Sequence, residues 1–143
     1  MNRSLLFLTI IFVLFFSLVA YSQVTTSWQS VYPYPTGNDL YDVHVFDASN
    51  IIAIGDGGTL VRSSDGGLTW RANIKIAGIY GGLRAMSFQG SIGIAVGKFG
   101  SVLKTTNGGL DWVKKISKTS QTLHGVFLKS DGIVTAVGEN GTR

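Results

Sequence analysis

A chain of 143 residues is long enough for one ordinary domain, and 12 Lys and Arg against 8 Asp and Glu leave it a formal charge of +4 at neutral pH. Its basic residues, among them Arg62, Lys104, Lys114, Lys115 and Lys118, are scattered rather than gathered into a stripe, which argues against nucleic acid as a partner. There is no cysteine, so disulfides, a thiolate nucleophile and a lipid-modified cysteine are excluded, and stability has to come from packing.

The first element is a targeting segment. Arg3 is the only charge ahead of an apolar run from Leu5 to Ala20, and Ala20-Tyr21-Ser22 then presents small residues at the −3 and −1 positions of a cleavage site. Residues 1–22 read as a signal peptide, with Gln23 first in the mature chain. The run falls short of the ~20 residues that span a bilayer comfortably. The expectation is export to the periplasm or the exterior, with no membrane-spanning segment after cleavage.

From there the chain repeats. Its three tryptophans, Trp28, Trp70 and Trp112, stand 42 residues apart, a period typical of repeat architectures. The first full unit runs Tyr41-Asp-Val-His-Val-Phe46, Ile51-Ile-Ala-Ile-Gly55, Gly58-Thr-Leu-Val-Arg-Ser63 and on to Trp70. The second runs Leu83-Arg-Ala-Met-Ser-Phe88, Gly93-Ile-Ala-Val-Gly97, Gly100-Ser-Val-Leu-Lys-Thr105 and on to Trp112. A third starts at Leu123-His-Gly-Val-Phe-Leu128, continues through Val134-Thr-Ala-Val-Gly138 and stops at Arg143. Short runs rich in Val, Ile and Phe, bounded by Gly, Asn, Asp and Ser, are strands with turns between them. The glycine-bounded links at 55–58, 97–100 and 138–141 read as tight hairpin loops.

Four strands per period is the blade of a β-propeller. The fold class is therefore all-β, built of four-stranded antiparallel blades. The blades are expected over 39–76 and 82–116, with an incomplete one over 122–143. Residues 23–38 supply a closure strand, around Trp28, and a link. About 2.5 blades are present, below the four that close a ring, so the chain reads as part of a larger ring, of seven blades as one option.

Each full unit closes on a turn motif, an Asp-box. Ser63, Asp65, Gly67, Thr69 and Trp70 form the first, and Thr105, Asn107, Gly109, Asp111 and Trp112 form a diverged copy. The expected role is structural: the Asp65 carboxylate accepts hydrogen bonds from turn amides, and the tryptophan opens the next strand and packs on the neighbouring sheet. The box lacks the dense alternation of oxygen ligands of a calcium loop, so no metal and no cofactor is expected.

This combination of Asp-box, Ala-Val-Gly strand and Gly58-Thr-Leu-Val-Arg-Ser63 segment resembles the photosystem II stability and assembly factor family of exported β-propellers. The resemblance covers residues 28 to 143. It implies a non-catalytic scaffold that binds a protein or another macromolecule, and an arginine-rich patch as docking surface. The candidate contacts are Asp42, Arg84 and His124, polar and unlike one another near the start of each innermost strand, and the basic pair Arg62 and Lys104. The alternative is part of a sialidase-like or other glycan-cleaving propeller, since such enzymes also carry Asp-boxes. Against it, Glu139 is the only glutamate, and His44 and His124 are not at metal-ligand spacing. No catalytic residue is assigned.

Overall fold

The computed structural model describes residues 35–73, 79 and 81–143; the expected signal peptide and the Trp28 strand lie outside them. As the repeat predicts, the described chain is all-β. Strands β1 (Leu40–Val45), β2 (Ile51–Gly55), β3 (Leu60–Ser63) and β4 (Arg71–Asn73) form one antiparallel sheet in that order. Strands β5 (Leu83–Gln89), β6 (Ile92–Gly97), β7 (Val102–Thr105) and β8 (Val113–Lys115) form a second, and β9 (Leu123–Leu128) pairs with β10 (Val134–Gly138). No α-helix occurs among the described residues, and the three glycine links each close as a three-residue 3-10 turn.

The core lies between sheets. One cluster joins Ile52, Ile54 and Leu60 of the first sheet to Leu83, Met86 and Phe88 of the second. Another joins Ile94 and Val96 of the second to Leu123 and Leu128 of the third pair. Strands β2 and β6 are buried along nearly their whole length, which is why they are almost continuously apolar rather than alternating. Each four-stranded sheet is thus one layer of a stack, with apolar side chains buried along its second strand.

The three units share one irregularity. Register slips by a residue at the start of each inner strand, skipping Tyr41, Arg84 and His124, while Leu40, Leu83 and Leu123 stay opposite Gly55, Gly97 and Gly138. These glycines are extended, so their need is room: a Cβ would collide with the carbonyl of Asp39, Gly82 or Thr122. The same carbonyls accept the amides of Asp56, Lys98 and Glu139 at 2.8–2.9 Å. The final glycine of the Ala-Val-Gly strand is therefore a docking point for the incoming link.

Candidate functional site

The two ends of the sheets are built differently. At one end the β3–β4 and β7–β8 hairpins carry the Asp-boxes and dock on the β1–β2 and β5–β6 loops, through Gly66 N–H to Ser49 O (2.9 Å) and Gly108 N–H to Ser91 O (2.8 Å). In the first box the buried Ser63 hydroxyl takes the amides of Asp65 (3.3 Å) and Gly67 (2.8 Å) and donates to the Asp65 carboxylate (2.8 Å). Asp65 in turn accepts the Thr69 amide at 2.8 Å and the Thr69 hydroxyl. These bonds, the Thr69 hydroxyl first, hold the Asp65 carboxyl down at about 2. The carboxylate thus accepts turn amides as expected, and shares them with the Ser63 hydroxyl, which takes those of Asp65 and Gly67.

The second box repeats this with its chemistry exchanged. Thr105 Oγ1 accepts Asn107 N–H (3.3 Å) and Gly109 N–H (3.0 Å), and Asn107 Oδ1 accepts Asp111 N–H (2.9 Å). The Asn107 amide then donates to the Asp111 carboxylate at 2.9 Å, where Asp65 accepted from Thr69. Donor and acceptor have swapped ends and the bond survives. Each indole N–H closes its own turn, Trp70 on Gly67 O (3.0 Å) and Trp112 on Gly109 O (3.1 Å), one residue ahead of the strand that sequence placed them in. The Trp112 ring meets Phe88 edge-on at 5.8 Å.

Of the basic pair, Arg62 is committed to this end. Its guanidinium donates to Gly108 O (2.8 Å) and Asn50 Oδ1 (3.3 Å), tying the first sheet to the second box. Lys104 is half-buried on β7 with no hydrogen bond or ion pair among the described residues.

The opposite end carries the skipped residues and the 3-10 turns. A bulge of this kind re-aims the extra side chain out of the ladder. The Tyr41 hydroxyl donates to Asp56 Oδ2 (2.9 Å), and Lys98 Nζ meets Asp56 Oδ1 at 3.3 Å. The Arg84 guanidinium lies 3.8 Å over the Tyr41 ring, and its Nε is shielded from water with no hydrogen-bond partner among the described residues. The Tyr41 hydrogen bond, helped by Lys98 and Arg84, depresses the Asp56 carboxyl. His124 Nε2 stands 3.7 Å from Glu139, whose carboxyl is held down chiefly by the Thr122 amide. The turns therefore open with Asp56, Lys98 and Glu139, alternating in sign around this end.

Asp42 does not belong to that set. The bulge places Tyr41, not Asp42, in register with Arg84 and His124. The Asp42 carboxylate instead accepts Val43 N–H (2.8 Å) and, across the gap between sheets, Met86 N–H (2.7 Å). Sequence reasoning missed Tyr41, Asp56 and Lys98; the signal was there in the first position after each Ala-Val-Gly or Ala-Ile-Gly strand. Carboxylates held ionised, stacked guanidinium and ring, and a paired lysine suit recognition by ion pairing and hydrogen bonding better than proton transfer. Among the described residues no three His, Asp or Glu side chains gather as a metal site, and no helix is long and apolar enough to cross a membrane.

Residues 20–140 match the family model described as photosynthesis system II assembly factor YCF48. Among solved structures, YCF48 bound to D1 peptide is 25% identical with a TM-score of 0.66, over 75% of this chain and 36% of that one. YCF48 from Cyanidioschyzon merolae, 22% identical with a TM-score of 0.64 over 76% of this chain and 37% of that one, shares the fold. The chain thus spans little more than a third of the length of either structure. No curated protein matches it significantly.

Proposed function

The chain belongs to the photosystem II assembly factor YCF48 family, and from that premise we propose that it is an exported, non-catalytic propeller segment that docks a protein partner on the end bearing Tyr41, Arg84 and His124. The observation that carries the reading is the shared bulge. The same register slip recurs three times with a fixed leucine beside it, yet the re-aimed residue is an aromatic, a cation and a histidine in turn. A scaffold that repeats while one aimed position varies is how a rigid fold presents a specific surface. Arg84 supports it further, because its guanidinium is held over the Tyr41 ring and presents a stacked cation at this end. A related YCF48 structure holds a D1 peptide, which supports a polypeptide as the ligand class.

A labelled D1 peptide titrated into the chain and followed by fluorescence anisotropy tests this. Arg84→Ala should weaken binding about tenfold or more, the usual cost of removing a central arginine anchor. Unchanged affinity in Arg84→Ala, with the fold intact by circular dichroism, would overturn the proposed docking end.

A further inference from the structure

Three non-glycine residues hold a left-handed backbone among the described residues: Phe99 (φ 57°), Lys118 (φ 61°) and Asn140 (φ 51°). Two of them, Phe99 and Lys118, line a single groove of about 540 Å³ between the Lys98–Gly100 turn and the stretch from Lys114 to Ser120. The sibling turns place Gly57 (φ 65°) and Asn140 where the second turn places Phe99. Glycine and asparagine suit that conformation; a phenylalanine there is strained. Its ring is also 70% exposed, and the neighbouring Ile116 is 94% exposed. Neither strain nor exposure helps the fold, so a use outside the fold is the natural account of both.

The groove is stiff and of one sign. Gly100 N–H bonds Gln121 O at 2.9 Å, a Cβ on Gly100 would collide with the Thr119 carbonyl, and the Ser117 hydroxyl holds Thr119 O at 3.0 Å. No acidic residue lines it, and Lys115 and Lys118 form no ion pair among the described residues. Its size is that of a site for a few side chains.

We propose that this groove binds an acidic peptide segment of a partner protein, seating one apolar side chain against Phe99 and Ile116 while its carboxylates meet Lys115 and Lys118. The surface extends from the docking end described above, sharing with it the Lys98–Gly100 turn, but none of Tyr41, Arg84 or His124 lines it. A peptide fits better than a membrane surface, because Lys115, Lys118 and the backbone of a hydrogen-bonded turn flank only two apolar side chains, an area suited to a few residues of one chain rather than to a lipid face.

The test is anisotropy of a labelled peptide of alternating glutamate and serine around one leucine, titrated with the full chain. Binding should weaken about tenfold or more in Phe99→Asn and in the Lys115→Glu/Lys118→Glu pair, and persist in Lys129→Glu, a lysine paired with Asp131 away from the groove. Phe99→Asn copies the third turn and should be at least as stable as the parent, so a misfolded variant does not explain its loss. The proposal is overturned if Phe99→Asn binds the peptide normally, if a lysine-for-glutamate peptide binds as well, or if the chain ignores the peptide and binds phosphatidylserine vesicles instead.

Discussion

Asp42→Ala separates a docking residue from a structural one. The Asp42 carboxylate bridges two sheets by accepting the Met86 amide at 2.7 Å, and Met86 is only 9% exposed. Removing the acceptor orphans a buried donor that water does not readily reach, while the Val43 amide at 2.8 Å belongs to an exposed residue and is resolvated. A hydrogen bond to a charged acceptor contributes about 1.5–3 kcal/mol, and the orphaned donor describes the same loss rather than an addition to it. Asp42→Ala should therefore cost about 1.5–3 kcal/mol, and Asp42→Asn, which keeps an acceptor, about 1 kcal/mol. Urea unfolding reads the total. Amide exchange at Met86 reads the location, and should accelerate in Asp42→Ala while amides of the β6–β7 ladder keep their protection. An unchanged midpoint and unchanged Met86 exchange, together with weakened partner binding, would refute the reasoning and return Asp42 to the docking end.

Phe88→Ala should cost about 3–5 kcal/mol, because its nearly buried ring meets His44 at 4.5 Å, Phe46 at 4.8 Å and Trp112 at 5.8 Å, and Phe88→Leu about half as much; urea midpoints check both. Gly97→Ala should destabilise far more than an ordinary strand Gly→Ala change, since its Cβ would meet the backbone of Gly82 rather than a movable side chain; thermal melting of Gly97→Ala against Gly37→Ala, where nothing lies nearby, measures the contrast. Asp65 has a depressed carboxyl, so its contribution is complete above the ordinary value of 3.8 and is lost as the pH falls to about 2. The stability gap between the parent and Asp65→Ala should accordingly narrow over that window in acid titrations of the urea midpoint, and a constant gap would contradict the box geometry. His44 is lowered by burial against the aromatic cluster, so the fold favours its neutral form and should lose stability as the pH falls through the histidine range; that slope should vanish in His44→Phe.

What was legible in the sequence was local. The 42-residue period, the strand runs and the Asp-boxes could be read because each depends on residues within one turn or one hairpin: Ser63, Asp65, Thr69 and Trp70 span eight positions and bond mostly to one another. Even the exchange of Asp65–Thr69 for Asn107–Asp111 leaves the motif recognisable, since the donor and acceptor stay within the same five residues. Short apolar runs bounded by turn residues likewise announced the strands, because composition and turn chemistry act along a few neighbouring residues.

Tertiary structure decided the rest. The β1–β2 link is one residue longer than its counterpart in the second sheet, so counting by 42 aligned Arg84 with Asp42, whereas the ladder aligns it with Tyr41. The bonds from Asp42 to Met86 and from Arg62 to Gly108 join residues more than 40 positions apart, and nothing in either neighbourhood names the other. Phe99 looks like any aromatic in a turn until its left-handed backbone and bare ring are seen together. By itself the sequence determined the blade, because a blade is made of neighbours along the chain. How one blade meets the next, and which side chains that contact consumes or leaves exposed, depends on stacking across distances the chain crosses only by folding.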